Sequence, residues 1–154
     1  MSRCVMALDQ GTTGSTCLIF DENLRVVSRA YQEVRCTFPR PGWVSQVPEE
    51  LWASSQVVMR QALREGGLEA SDLVALGITN QRETTMIWER ESGRPIHEAI
   101  VWQCRRTASI VAEWVAQGLG EMITAKTGLI PDAYFSASKI AYILDSVPGA
   151  RYVG

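Results

Sequence analysis

Leu8-Asp9-Gln10-Gly11-Thr12-Thr13-Gly14-Ser15-Thr16 follows directly on an apolar run and sets one carboxylate, two glycines and a pair of threonines at what reads as a strand end. Cys4 to Leu8 has the composition of a short buried strand, and Cys17 to Phe20 reads as its return, so the glycines fall in a hairpin turn. Gly11 and Gly14 permit positive φ there and let backbone N–H groups approach an anion with no Cβ in the way. Thr12 and Thr13 add hydroxyl donors. Asp9 would face the same ligand. A carboxylate beside a phosphate repels it unless a cation or bridging water lies between, so a Mg²⁺ shell at Asp9 is the natural partner. A plain hairpin with an acidic residue near its turn satisfies the same spacing.

Outward from the hairpin, Asp21-Glu22-Asn23 reads as a turn and Leu24 to Val34 as a third, more polar strand. Phe38-Pro39-Arg40-Pro41-Gly42-Trp43 is a loop, since its prolines and glycine forbid regular pairing, and Trp43 is its expected anchor. Pro48-Glu49-Glu50 opens a helix. Leu51, Val58 and Ala62 beside Trp52, Met59 and Leu63 stack on one face of it, and Gly66-Gly67 ends it. Leu73 to Ile78 is a compact apolar strand reached by a crossover, Thr84 to Trp88 its return, and Ala99 to Trp102 a short strand before a helix from about Arg105 to Gln117. Helical pieces follow near Gly120 to Thr127 and Ser136 to Asp145. The order predicts an α/β fold, a mixed sheet with flanking helices.

At 154 residues, 46% of them hydrophobic, the chain can bury a core, and one domain is the default count. Fifteen basic and 17 acidic residues leave a net charge of −2, and no basic run exceeds Arg105-Arg106, which argues against nucleic acid as a partner. Neither a signal peptide nor a membrane span is expected, so the protein reads as cytoplasmic. Cys4, Cys17, Cys36 and Cys104 are scattered without metal-ligand spacing and read as reduced thiols in or near the core. His97 follows a Gly-Arg-Pro turn and is expected to face solvent.

Arg82 and Glu83 are neighbours, which in a regular strand point to opposite faces, so both serve one ligand only from a loop. A guanidinium that only donates and a carboxylate that only accepts together suit hydroxyls, which do both, and that describes a polyol. Trp102 offers a flat wall to the carbon chain and Tyr134 an adjustable hydroxyl. A solvated Arg-Glu pair and a core tryptophan would satisfy the same pattern.

Ala7 to Thr13, Pro41-Gly42-Trp43-Val44, Gly77-Ile78-Thr79-Asn80-Gln81-Arg82-Glu83-Thr84-Thr85, Val101-Trp102-Gln103-Cys104-Arg105-Arg106-Thr107 and Tyr134-Phe135-Ser136 with Lys139 resemble the FGGY carbohydrate kinases nearly end to end. The stretches Asn80 to Thr85 and Trp102 to Arg106 look specific to the branch that phosphorylates glycerol. The resemblance implies a ribonuclease-H-like fold of the actin-type ATPases, here as an incomplete N-terminal domain spanning residues 1–154, and Mg²⁺-assisted transfer of the γ-phosphoryl group of ATP to a terminal hydroxyl of glycerol. It implies that Arg82, Glu83 and Tyr134 bind glycerol, Trp102 lines the pocket, Thr12, Thr13 and Gly14 contact nucleotide phosphates, and Asp9 acts near the metal. The general base and the C-terminal domain are expected beyond Gly154, and the full-length protein is compatible with a homo-oligomer.

One departure stands out. Where the glycerol branch commonly carries an arginine shortly after the threonine pair, this chain has Thr16, a neutral hydroxyl in place of a bidentate cation. Two other readings stay open: a kinase of a larger polyol or ketose, and a non-catalytic polyol-binding or regulatory module.

Overall fold

The computed structural model describes residues 3–152. The first elements are β1 (Cys4–Gln10), β2 (Gly14–Phe20), β3 (Val26–Glu33), the two-residue β4 (Ser45–Gln46) and the helix α1 (Pro48–Gly66). They continue with β5 (Leu73–Asn80), β6 (Ala99–Ile100), α2 (Ala108–Ala116), α3 (Leu119–Thr127) and α4 (Ser136–Ser146). The chain divides into two compact units, residues up to Cys36 with Val47–Gln81, and Thr37–Gln46 with the residues from Arg82 onward. The loop at 37–46 belongs to the second unit because it pairs forward with residues around 100 rather than with the strands that flank it in sequence.

The first unit is a mixed sheet of order β3-β2-β1-β5, antiparallel except where β5 runs parallel to β1. Strand alternation sends Cys4, Met6, Leu8, Cys17, Ile19 and Ala30 to one face, where they bury against Val58 and Ala62 of α1. Hydroxyls inside this core are paired, Ser15 Oγ with Ser54 Oγ at 2.8 Å and Ser28 Oγ with the Ala62 carbonyl at 2.7 Å. Burial pushes the Cys17 thiol up to about 11, which keeps it a neutral, inert filler.

One expectation here fails for an identifiable reason. Trp52 is 64% exposed and belongs to the solvent side of α1. It lies one position, about 100°, beyond the buried Leu51, outside the stripe of Leu51, Val58 and Ala62. The apolar run Leu73 to Ile78 is a strand but is not buried, with Ile78 66% exposed, because β5 is an edge strand and α1 packs over β1, β2 and β3.

Helix α1 starts without a side-chain cap: Val47 holds the extended N-cap conformation, followed by Pro48 and the acidic pair Glu49 and Glu50. Asp at this position can accept from the first-turn amides, whereas valine cannot. Val47→Asp is expected to stabilise the chain by about 0.5–2 kcal/mol, read as a rise of a few degrees in the thermal midpoint. An unchanged or lowered midpoint would mean that the apolar contact of the half-buried Val47 outweighs the cap.

In the second unit, β4 and β6 pair antiparallel and α2, α3 and α4 follow. The expected strand from Thr84 to Trp88 is instead an irregular segment touching its neighbours through isolated bridges, Thr85 to Ile100 and Trp88 to Pro95. The expected strand from Ala99 to Trp102 shrinks to two residues, and the helix expected from Arg105 begins at Ala108. Arg105 and Arg106 are the reason for that late start, since their side chains are committed to tertiary partners. Trp43 does anchor its loop: the Arg106 guanidinium lies 4.4 Å from its ring centroid, Arg40 lies 4.9 Å away, and Tyr142 meets it edge-on at 6.0 Å. His97 is half-buried rather than solvent-facing, its ring edge-on to Tyr142. Among the described residues no helix is long and apolar enough to cross a membrane.

Candidate functional site

Gly11, Thr12 and Thr13 link β1 to β2, with the Gly11 amide donating to the Gly14 carbonyl at 3.0 Å. Neither Gly11 nor Gly14 uses the positive φ open to it, and what both supply is space. A Cβ on Gly14 would sit 2.5 Å from the Tyr31 ring and hydroxyl, and one on Gly11 would sit 3.0 Å from the Gly14 carbonyl. Tyr31, on β3, reaches over the turn and donates its hydroxyl to the Thr13 carbonyl at 3.2 Å. The Val34 amide donates to the same oxygen at 3.0 Å. The hairpin is thus braced from β3, and Tyr31 is a contributor that reading the turn alone does not find.

Substitution tests that brace. Gly14→Ala must displace the Tyr31 ring, and because that ring is about half exposed it can swing outward. The expected cost is about 1–3 kcal/mol, the range for overpacking. In a Tyr31→Ala background the same change should cost almost nothing, a non-additivity that a double-mutant cycle of denaturation midpoints measures. Additive costs would place the strain of Gly14→Ala elsewhere.

Pairing register sets Tyr31, Thr16, Asp9 and Thr79 side by side across β3, β2, β1 and β5. They share the sheet face opposite α1, since Leu8 and Cys17 in the adjacent row point into the core. Asp9 is exposed at the carboxyl end of β1. A single carboxylate flanked by hydroxyls suits Mg²⁺, which keeps most of its waters and binds through one or two carboxylates plus phosphate oxygens. It does not suit a resident all-protein metal cage, and no group of three or more ligating side chains occurs among the described residues.

The second unit brings Glu83, Trp102 and Tyr134 together. Arg82 and Glu83 occupy a turn just past β5, as the loop requirement demands, and Glu83 has φ +66°, an uncommon conformation for a side chain with a Cβ. Its carboxylate reaches the start of α4, where Oε2 accepts from the Ser136 amide at 2.9 Å and from Ser136 Oγ at 2.8 Å. Phe135, the N-cap residue of α4, has no acceptor of its own, so Glu83 caps this helix from another loop. Both bonds fall on Oε2, which leaves Oε1 for a further donor.

Trp102 and Tyr134 meet at 5.9 Å between ring centroids, inclined by 67°, and form an aromatic corner. The Trp102 amide donates to Thr84 Oγ1 at 3.2 Å, tying the wall to the residue after Glu83. Tyr134 is held by Asp132, whose Oδ1 accepts both from the Tyr134 amide and from Arg105 at 2.7 Å. The Arg105 hydrogen bond, then the Tyr134 amide, hold the Asp132 carboxyl below its ordinary range. Arg82 is exposed beside Glu83.

Lys139 and Ser136 are the residues that sequence reading left without a role. Lys139 is fully buried in α4, donates to the Glu83 carbonyl at 3.0 Å and to the Tyr134 carbonyl, and lies 5.9 Å from the Tyr134 ring centroid. Burial pulls its pKa down to about 8, opposed chiefly by the Glu83 carboxylate. The available signal was its spacing: Lys139 sits four residues before Ile143, on the stripe that α4 buries.

Comparison with known proteins gives the family. The model of the FGGY family of carbohydrate kinases, N-terminal domain, matches residues 4–152. A glycerol kinase of Methylibium petroleiphilum is 54% identical over 147 residues, 96% of this chain and 30% of that protein. The crystal structure of Plasmodium falciparum glycerol kinase with ADP superposes with a TM-score of 0.88 at 29% identity, covering 97% of this chain and 30% of that one. A xylulose kinase from Rhodospirillum rubrum shares the fold at a TM-score of 0.85 and 22% identity, covering 98% of this chain and 31% of that one. The chain therefore spans about 30% of the length of the curated relatives it matches.

Proposed function

Because the chain belongs to the FGGY family of carbohydrate kinases, we propose that it is the N-terminal part of an enzyme that transfers the γ-phosphoryl group of ATP to a terminal hydroxyl of glycerol. The observation that carries this reading is the gathering of Glu83, Trp102 and Tyr134 in one unit, with one carboxylate oxygen left over from the helix cap. Oε1 of Glu83 accepts from a glycerol hydroxyl, Arg82 donates to one, the Tyr134 hydroxyl adjusts to either, and the Trp102 face lies against the carbon chain. In the first unit, Thr12, Thr13 and Gly14 contact the nucleotide phosphates, and Asp9 holds the Mg²⁺ that neutralises them. Phosphoryl transfer depends on positioning and charge neutralisation, to which the clamp and the hairpin each contribute a part. The family and the glycerol kinase relatives support this reading, as does the ADP in the Plasmodium structure. We place the enzyme in the cytoplasm, in keeping with its free thiols, three of them buried.

Calorimetric titration of the chain with glycerol, xylulose and gluconate tests the substrate. Glycerol is expected to bind and the longer molecules to bind weakly or not at all, because the corner formed by Trp102 and Tyr134 limits the length of the carbon chain. Preference for xylulose or gluconate would replace glycerol with a larger substrate.

Thr16 bears on the nucleotide. Its register position beside Asp9 puts residue 16 next to the proposed metal, where an arginine side chain would meet phosphate. A charge-assisted hydrogen bond contributes about 1.5–3 kcal/mol and a neutral one nearer 1, so Thr16→Arg is expected to tighten Mg-ATP binding by about tenfold and to leave glycerol binding unchanged. A titration in which the nucleotide affinity stays constant, or in which glycerol binding changes instead, would show that residue 16 does not face the phosphates.

A further inference from the structure

We propose that Lys139 is a positioning residue of the polyol site: its buried ammonium fastens the backbone at Glu83 to the backbone at Tyr134 and so fixes the spacing of the two side chains that grip the substrate. The proposal rests on the polyol reading of this site.

Three observations converge on it. Lys139 is completely buried, yet its hydrogen bonds run to main-chain carbonyls in two separate loops, those of Glu83 and Tyr134. A lysine kept inside a protein at the cost of desolvation normally pairs with a carboxylate. Here the Glu83 carboxylate is turned to the start of α4, and the lysine holds the carbonyl of the same residue. Glu83 also sits at φ +66°, a conformation that a non-glycine residue adopts at a cost and keeps only where its surroundings over-determine it. Ser136 fixes the carboxylate, Thr85 Oγ1 and Lys139 both donate to the carbonyl, and together they hold the backbone in the left-handed region. Glu83 and Tyr134 are 51 residues apart in sequence, and Lys139 bonds to the main chain of both.

The groups facing the ammonium are Glu83, Cys104 and Asp132, which favour its charge, and Arg105, which opposes it together with burial. Losing the proton near pH 8 replaces two charge-assisted hydrogen bonds with weaker neutral ones, and both acceptor carbonyls should register that event together.

The test uses the chain itself, labelled with ¹³C. Carbonyl shifts of Glu83 and Tyr134 are followed from pH 6.5 to 9.5 alongside the Cε of Lys139, and glycerol affinity is measured by calorimetry for the parent, Lys139→Met and Ile143→Ala. Ile143 is fully buried on α4 and has no polar side-chain atom, so it reports what general loosening of the helix does. The proposal predicts that both carbonyls titrate with the Lys139 midpoint near 8. It also predicts that Lys139→Met abolishes the titration and weakens glycerol binding at least about tenfold, and that Ile143→Ala leaves the affinity nearly unchanged. Carbonyls that ignore the titration of Lys139 overturn it, even if Lys139→Met does not fold. Equal losses of affinity in the two variants also overturn it and reduce Lys139 to a packing residue. A parent chain that binds no glycerol refutes the polyol reading instead, and the carbonyl titration then decides by itself whether Lys139 ties the two loops.

Discussion

Glu83→Ala is expected to weaken glycerol binding by about 2–4 kcal/mol, the range for truncating one partner of a buried charged hydrogen bond, or roughly thirtyfold to nearly a thousandfold. Two effects combine in this variant. Oε1 no longer accepts from the substrate, and the start of α4 loses the carboxylate that receives the Ser136 amide and hydroxyl. The second effect alone should lower stability by about 0.5–2 kcal/mol. Ser136→Ala separates them, since it removes one bond to Oε2 and leaves Oε1 untouched. Titration calorimetry beside thermal melting is the appropriate measurement: Glu83→Ala should lose affinity and stability, Ser136→Ala mainly stability. Equal glycerol affinities for Glu83→Ala and the parent would remove Glu83 from the site.

Asp9→Asn should have a comparable effect on a different quantity. The substitution keeps shape and hydrogen-bonding capacity but removes the charge that attracts Mg²⁺, so turnover in an active enzyme carrying this chain should fall by about a hundredfold or more, as for loss of one preorganised electrostatic contact. Glycerol affinity should not move. Glu83→Ala is thus expected to act on polyol binding and Asp9→Asn on the metal and nucleotide. Unchanged Mg²⁺ dependence in Asp9→Asn would move the metal away from the end of β1.

Legibility from sequence followed the range of the interactions. The hairpin was readable because everything that makes it lies within Cys4 to Phe20, two apolar runs and a turn between them. Arg82 and Glu83 were placed in a loop by the strand rule that neighbours diverge, and the turn after β5 is where they lie. What escaped was set by partners far along the chain. The glycines of the hairpin were legible as positions without room for a Cβ, but it was not legible that Tyr31 of β3 and the turn's own carbonyl are what crowd them. The strand expected at Thr84 to Trp88 has suitable residues, but Glu83 capping α4 and Lys139 holding the Glu83 carbonyl fix the start of that segment out of register. Nothing local announces that Arg106 is buried, because its stacking on Trp43 and its bonds to Val44 and Ser45 reach about sixty residues back.

The central claim is that this chain supplies the glycerol-binding part of a kinase, and a chimera tests it most directly. Residues 4–152 would replace the matching segment of the Methylibium glycerol kinase, whose remaining length supplies everything this chain does not. Release of ADP would then be measured with Mg-ATP and glycerol, in parallel with the Glu83→Ala chimera. The account predicts glycerol-dependent turnover in the first and its loss in the second, with xylulose a poor substitute. A folded chimera that turns over no glycerol, or one whose turnover is indifferent to Glu83→Ala, would contradict it.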